Sequence, residues 1–182
     1  MRTAEQLRYL VLAAELEGRR QLSRQLRPLG LTPSQAEVLR VLADHAPLSL
    51  NGLGSLLVCE SGTSPSRLVD RVVARGLVDR RPGPTDARAI ELTLTAEGER
   101  LAQEVVKIEN LMYAAIDALT GPEVGATLDF LHAFVDGSPV GRAFDQRVAR
   151  SHETGGAQAN QPLKTTTPST GRADRSPTHR RR

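Results

Sequence analysis

The sequence predicts a mainly α-helical domain that carries one small β-hairpin. The first observation is a series of helical apolar stripes separated by Pro and Gly, with a strong helix-start signal at Thr32. The second is the order of elements over residues 32–95, where two short helices precede an arginine-rich helix and two strands joined by a Pro/Gly turn. The third is a local excess of arginine over residues 61–88, which contrasts with the acidic residues 89–150. Together they predict a winged helix-turn-helix.

The composition is that of one substantial domain followed by a tail. The chain has 182 residues, 39% of them hydrophobic, and no apolar run near the length of a membrane span. Its N-terminal stretch is interrupted by Glu5, Glu15 and Glu17, and no small-residue cleavage site follows, so it lacks the pattern of an export signal. We therefore expect a cytoplasmic protein without a membrane partner.

Residues suited to catalysis or metal binding are sparse. The single cysteine, Cys59, excludes an intrachain disulfide framework, and the four histidines are too scattered to form a metal site beside it. The sequence shows no Ser/His/Asp or Cys/His constellation and no phosphate-cradling glycine loop. We therefore expect a protein that is not an enzyme and that needs no cofactor or metal.

The net charge of +3 is unevenly distributed along the chain. Residues 61–88 carry six arginines against three aspartates, whereas residues 89–150 carry five basic and ten acidic residues. Residues 151–182 are again basic, with six basic and two acidic residues. A local basic patch on an otherwise acidic body is expected where a single face of a protein meets phosphate.

Start and stop signals predict three helices before the arginine-rich one. A long amphipathic helix covers residues 4–27 and ends before Gly30, and its apolar stripe must pack either on the same domain or on a second subunit. Thr32 and Gln35 form a capping box that starts the second helix. A third, short helix starts at Ser49. Its inward-facing residues are Leu50, Leu53, Leu56 and Leu57.

The arginine-rich helix has two faces. At about 100° per residue, its inward arc consists of Leu68, Val69, Val72 and Val73. Its outward arc consists of Thr63, Ser64, Arg67, Asp70, Arg71, Ala74 and Arg75. Pro65 at the first helical position predicts a start at Ser64, and Gly76 predicts the end. A solvated surface helix is the alternative interpretation. Because the arginine-rich helix follows two capped helices, we favour a helix whose outward side chains bind a partner.

The hairpin that follows has the composition of an exposed wing. Leu77 begins the first strand, Arg80 and Arg81 lead into the turn, and Arg88 lies near the tip. Alternation in the return strand predicts inward side chains at Ile90, Leu92 and Leu94. A narrow groove of DNA concentrates negative potential, so a cation at the tip of a wing is attracted there without reading a specific base.

The C-terminal part is predicted to add helices and then a tail. Thr95 starts a long helix, and a second one starts around Thr120. Apolar residues further on predict one more short turn, at Val140, Phe144 and Val148. From residue 151 to 182 the apolar residues nearly vanish, which predicts a disordered basic tail after a domain of residues 1–150.

Two adjacent motifs carry a resemblance to a known family. The first is D-x-R followed after five residues by L-T, present as Asp86-Ala87-Arg88 and Leu94-Thr95 with Gly98 soon after. The second is the run RLVDRVVARGLVDRR, which looks like a recognition helix and its exit into the wing. On these grounds residues 4–137 resemble the MarR family of bacterial transcriptional regulators.

The resemblance implies a homodimer that grips a pseudo-palindromic operator in double-stranded DNA. Residues 4–30 and 96–137 would be the dimerisation helices, and residues 32–95 the winged head. Asp86 would orient Arg88 in the minor groove. The implied major-groove contacts are Thr63, Ser64, Ser66, Arg67 and Arg71. We add Arg80 and Arg81, at the base of the wing, as further expected DNA contacts. We expect a repressor released by a small-molecule effector.

The sequence departs from the family pattern just before the arginine-rich helix. Pro65 and Glu60 stand where the family usually has apolar residues, and Cys59 stands where it usually has a small one. Because some relatives sense oxidants through cysteine, a thiol-based redox sensor using Cys59 is one alternative. It would require an exposed thiol with a lowered pKa. A winged-helix module that binds another protein and not DNA is the second alternative.

Overall fold

The computed structural model describes residues 1–58, 64–83, 90–119 and 121–158, with the backbone alone for residues 152–158. Within these ranges the chain forms seven α-helices and three β-strands. In chain order they are α1 (Thr3–Leu26), α2 (Pro33–His45), β1 (Leu48–Ser49), α3 (Leu50–Gly54), α4 (Pro65–Ala74), β2 (Val78–Pro82), β3 (Ile90–Leu94), α5 (Ala96–Asp117), α6 (Val124–Val135) and α7 (Pro139–Gln158).

The predicted fold class is confirmed, with one strand more than the sequence indicated. The sheet is antiparallel in the order β1-β3-β2, and β1 pairs with β3 through Leu48 opposite Leu92 and Ser49 opposite Glu91. Strand β1 is two residues long, which is too short to show an alternating pattern. Its pairing with β3 joins the wing to the segment that leads into α3.

Helix α2 lies at the centre of the winged head. It starts with the predicted capping box, in which Gln35 N donates to Thr32 Oγ1 at 3.3 Å and Thr32 N donates to Gln35 Oε1 at 3.0 Å. One continuous core surrounds it, formed by residues of α2, α3, α4, the sheet and the first half of α5. The largest fully buried members include Leu39, Leu42, Leu53, Leu56, Leu68 and Leu92. Burial of this many apolar side chains stabilises the packing of the short helices α2, α3 and α4.

The prediction that Ile90 faces inward is wrong. Ile90 is 53% exposed, whereas Leu92 on the same face of β3 is 1% exposed. Ile90 pairs with Pro82 at the far end of the hairpin, past the part of β3 that β1 covers. Alternation assigns a side chain to a face of the sheet, but it does not tell where along the strand the core ends.

The C-terminal helix α7 is much longer than the short turn that the sequence predicted. It runs from Pro139 past residue 150 to Gln158, so the predicted start of the tail at residue 151 falls inside a helix. A usable start signal was present, because Gly141 N donates to Ser138 Oγ at 3.0 Å and Pro139 occupies the first helical position. Residues 159–182 of the predicted tail lie outside the described residues.

A compact junction joins the end of α4 to the start of α5. Gly76 has a φ of +67° and ends α4, with Gly76 N bonded to Val73 O at 2.8 Å and Leu77 N bonded to Val72 O at 3.0 Å. Thr95 N donates to Leu77 O at 3.1 Å, and Thr95 Oγ1 donates to Gly76 O at 2.7 Å.

Thr95 also caps α5, because its Oγ1 accepts the Gly98 N–H at 3.0 Å. A Cβ atom at position 98 would collide with the carbonyl oxygen of Leu77, so only glycine fits there. The Leu94-Thr95 and Gly98 part of the family motif therefore has a structural explanation. It sets the distance and angle between α4, the wing and α5.

We predict that Gly98→Ala destabilises the protein while Gly125→Ala does not. The alanine at position 98 must displace backbone, which typically costs about 1–3 kcal/mol. Gly125 also lies in a helix, but an added Cβ would meet no atom within 4 Å. Urea unfolding at one fixed protein concentration measures both effects. A midpoint for Gly98→Ala equal to that of the wild type would contradict the assigned role of the junction.

Candidate nucleic-acid interface

Helix α4 starts where the sequence predicted. Ser64 is the N-cap residue and Pro65 occupies the first helical position. The Ser64 side chain makes no capping hydrogen bond within the helix. Pro65 packs on α3 at Gly54, where an added Cβ would lie 3.3 Å from Pro65 Cγ. The departure at Pro65 is therefore accommodated by the small residue opposite it.

The two predicted faces of α4 are confirmed. Leu68, Val69 and Val72 are buried in the core. On the opposite side, Ser64, Arg67 and Arg71 are exposed and Ser66 is half-buried. Arg71 Nε donates to the carbonyl oxygen of Arg67 at 3.3 Å. Among the residues that the structure describes, neither arginine has a carboxylate partner, so this face keeps its positive charge.

Arg75 has the helical spacing of Arg67 and Arg71, but its guanidinium binds other parts of the protein. Its Nη1 donates to the carbonyl oxygen of Gly30 at 2.7 Å and approaches Gln35 Oε1 at 3.4 Å. Gly30 lies in the turn between α1 and α2, and Gln35 belongs to the capping box of α2. Arg75 therefore holds the C-terminal end of α4 against that turn, a role that spacing along one helix did not indicate.

The two arginines at the base of the wing are ion-paired. Arg80 Nη2 contacts Asp70 Oδ1 at 2.6 Å, which ties β2 to α4. Arg81 Nη2 contacts Asp79 Oδ2 at 2.8 Å within the same strand, and its side chain is 72% exposed. Exposed pairs of this kind contribute little to stability, about 0–1 kcal/mol. Each cation already has a carboxylate partner, so a predicted DNA contact either uses its remaining N–H groups or replaces that carboxylate.

Four predicted site residues lie outside the described residues. They are Cys59, Thr63, Asp86 and Arg88. The structure describes the chain on both sides of them, up to Val58, from Ser64 to Gly83 and again from Ile90. The roles that the sequence assigned to these four residues stay predictions.

The ionisable groups behind the head form a second cluster. Arg40 of α2 bridges Glu109 of α5 at 3.0 Å and Asp44 at 3.2 Å. Burial raises the pKa of Glu109, and the nearby Arg40 opposes this rise. The pair lies on the contact between α2 and α5, so it helps to fix the long helix against the head. Over the described ranges there is no group of three His, Cys, Asp or Glu residues that could hold a metal ion.

A crevice of about 460 Å³ opens where α2, β3 and α5 meet. Leu42, Leu94 and Val106 contribute apolar walls, and Thr93, Glu99 and Gln103 contribute polar groups. Apolar walls with a few polar groups are typical of sites for small molecules. Sequence reasoning did not identify these residues, because apolar lining positions have the same pattern as core positions.

Comparison with known proteins agrees with the geometry of a winged helix-turn-helix. A sequence model of the MarR family matches residues 29–89. The multiple antibiotic resistance protein MarR of Escherichia coli is 32% identical over 114 residues, which cover 62% of this chain and 78% of that protein. The organic hydroperoxide resistance transcriptional regulator of Bacillus subtilis is 30% identical over 108 residues, covering 59% of this chain and 73% of that protein.

Comparison with a solved structure shows that the similarity extends to the fold. The crystal structure of a cysteine-to-serine mutant of Escherichia coli MarR complexed with operator DNA is similar to this chain with a TM-score of 0.60 and 30% sequence identity. The similarity covers 71% of this chain and 93% of that chain. This chain therefore belongs to the MarR family, whose members are transcriptional regulators and not enzymes. Within the described ranges no helix is long and apolar enough to cross a membrane.

We predict that Arg75→Ala and Arg71→Ala have different effects on stability, although both remove an arginine from the same row. Arg75→Ala removes a hydrogen bond between distant elements, worth about 0.5–1.5 kcal/mol. Arg71→Ala removes a side chain that, in the part of the chain that the structure describes, is bonded only within α4, so the free energy of unfolding should stay unchanged. Thermal and urea unfolding of the two variants measure this difference. Equal loss in both would mean that Arg75 does not anchor α4.

Proposed function

We propose that this protein is a dimeric, sequence-specific DNA-binding transcriptional regulator, a repressor that a small ligand releases from its operator. The observation that carries the proposal is the exposed face of α4, which presents hydroxyl and guanidinium groups on a helix fixed by a buried core. Among the described residues these guanidinium groups have no carboxylate partner. Three buried residues and the Gly54–Pro65 contact hold this helix from behind. A rigid helix with a polar outer face is what insertion into a major groove requires.

The residue types on α4 suit the edges and backbone of DNA. Arg67 and Arg71 can each bond guanine O6 and N7 through two N–H groups, or bond phosphate. Ser64 and Ser66, at the N-terminal end of the helix, can bond phosphate oxygens together with the free N–H groups there. The structural likeness to the operator complex of Escherichia coli MarR supports this assignment.

The wing supplies the second contact of the proposal. Strands β2 and β3 extend beyond the helical core, as the exposure of Ile90 indicates. We assign Arg88 to the minor groove and Asp86 to its orientation, because their motif matches that of the family and lies between these strands. Arg80 and Arg81 would then approach phosphates at the base of the wing.

The dimer is supported by the apolar surface that a single chain leaves uncovered. Large apolar side chains are exposed along α1, the second half of α5, and α6, and no residue of α6 is buried. They include Leu10, Leu16, Leu111, Ile116, Leu128 and Phe134, and Leu119 just after α5 is exposed as well. Large apolar patches are rarely exposed on monomeric soluble proteins. A groove of about 600 Å³ between α1 and α5 belongs to the same surface.

The crevice between α2, β3 and α5 is the place that we propose for the effector. It touches the wing strand β3 and the long helix α5 at once. A ligand that fits better when these elements are moved apart would change the spacing of the two heads in a dimer. Release from the operator then follows from the difference in ligand affinity between the two arrangements.

We predict that Arg67→Ala and Arg88→Ala weaken DNA binding in different ways. Arg67→Ala should relax the preference at one base pair, with a loss of about 1–3 kcal/mol at the preferred base. Arg88→Ala should weaken binding to all sequences and reduce the salt dependence, because a cation near phosphate is lost. Selection of genomic fragments followed by fluorescence anisotropy at two salt concentrations measures both effects.

Arg100→Ala is the matched control for that experiment. It removes the same charge from α5, where Arg100 pairs only with Glu97 of the same helical turn among the described residues. Its operator affinity should equal that of the wild type. Unchanged affinity in Arg88→Ala would refute the role of the wing. A wild type that retains no genomic fragment at low salt would favour the alternative of a protein-interaction module.

We predict that Phe134→Asp converts the dimer into monomers and abolishes operator binding. Phe134 of α6 is 69% exposed and stacks on Phe130 at 6.2 Å between ring centroids, so the aspartate would place a charge inside the proposed interface. Ile90→Asp is the control for the sedimenting mass alone, because Ile90 is also exposed but lies on the wing, outside the proposed dimer interface. Sedimentation velocity measures the mass of each variant. A wild type that sediments as a monomer at micromolar concentration would refute the dimer.

A further inference from the structure

Glu37 of α2 is a nearly buried carboxylate that joins three parts of the chain. It is 6% exposed, and its Oε1 accepts the backbone N–H of Val58 at 2.8 Å. The same oxygen accepts Arg147 Nη1 of α7 at 3.1 Å, and the Arg147 side chain is 30% exposed. A carboxylate this deep needs such partners, because burial of an uncompensated charge is strongly unfavourable.

The contact between Glu37 and Val58 matters because of where Val58 lies in the chain. Val58 follows the buried Leu56 and Leu57 and is the last described residue before the segment 59–63, which leads into α4. At the other end of that segment, Pro65 is held against Gly54. Glu37 therefore holds Val58, the residue that precedes the segment leading into helix α4.

Helix α7 reaches Glu37 because it packs across the helix-turn-helix. Ala143 is buried, and α7 forms a recess with Gly54, Ser55 and Leu57 at the end of α3. The charges of α7 also reach the end of α2. Burial is the main cause that lowers the pKa of His45, Asp44 opposes it, and Arg150, Arg147 and Arg40 add to it.

A second contact anchors α7 on the neighbouring helix. His132 Nε2 of α6 lies 2.8 Å from Asp145 Oδ1, and the ring of His132 meets Phe144 edge-on at 6.0 Å between centroids. The motifs that carry the family resemblance end before α7 begins. Helix α7 lies after these motifs and contacts the helix-turn-helix itself.

We infer that Arg147 is a positioning residue for DNA reading: through Glu37 it holds the Val58 end of the segment that enters the recognition helix α4. The inference rests on the proposed function, since it assigns to α7 a part in operator binding. Arg147 does not touch DNA in this scheme. It acts because a Val58 that is already held by Glu37 loses less conformational entropy when the operator binds.

Substitution of Arg147 by Gln tests the inference, with Arg147→Lys as the conservative variant. Arg147→Gln should weaken operator binding by about three- to thirtyfold, the usual range for coupling between a remote residue and a site. Amide hydrogen exchange at Val58 should accelerate at least threefold, while exchange of the core amides of α2 stays unchanged. Arg147→Lys keeps the cation and should restore both quantities to within about twofold of the wild type.

The readouts separate the inference from the proposed function and from a general loss of stability. Arg100→Gln removes an equal charge outside this contact and should change neither operator affinity nor exchange at Val58. Wild-type protein that binds no operator would refute the proposed function. Wild-type binding together with unchanged affinity or unchanged Val58 exchange in Arg147→Gln would refute the positioning role alone. Equal acceleration of exchange at Val58 and in the α2 core would likewise refute it, since that result means global unfolding.

Discussion

The structure depends on the junction at which α4 ends and α5 begins. Thr95 uses one side chain and one backbone N–H to bind the carbonyl groups of Gly76 and Leu77, and the same side chain caps α5. Gly98 then allows α5 to lie against the carbonyl oxygen of Leu77. Within a few residues, these contacts join the recognition helix α4, the wing formed by β2 and β3, and helix α5. A displacement of α5 would therefore act on α4 and β3 through these contacts.

Charge in the head is divided between structure and recognition. Three arginines stand at helical spacing on α4, but Arg75 binds the α1–α2 turn, while Arg67 and Arg71 face outward. On the wing, Arg80 is paired with Asp70 and therefore also fastens β2 to α4. An excess of arginine in the sequence thus predicts a basic face. Two of these arginines, Arg75 and Arg80, bind other parts of the head and hold α4 and β2 in place. Only a cation without a carboxylate partner adds fully to the local positive potential.

The two proposed control elements contact the head from different sides. The crevice touches α2, β3 and α5, so a ligand there acts near the junction at Thr95. Helix α7 touches α2 and the end of α3, so it acts at the entry to α4. Both use α2 as a common support. Because α2 is central and its inner residues are fully buried, it cannot adjust separately to each of them.

The sequence by itself determined the elements whose signals are local. Capping groups, a proline at the first helical position and a glycine at the end predicted α2 and α4 correctly, and periodicity placed Leu68, Val69 and Val72 in the core. These features follow from hydrogen bonds and spacing within a few residues. Alternation and a Pro/Gly turn predicted the hairpin of the wing, and the resemblance to a known family added most of the expected DNA contacts.

Only the tertiary structure decided what depends on contacts between distant parts of the chain. It showed the two-residue strand β1, the exposure of Ile90 and the structural role of Arg75. It also brought Arg147 to Glu37, a pair far apart in sequence that joins two helices with no shared motif. Periodicity tells which face of an element is apolar, but not which partner covers that face or where along the element the cover ends. For that reason the contacts of α7 could not be predicted, although its start signal at Ser138 and Pro139 was present in the sequence.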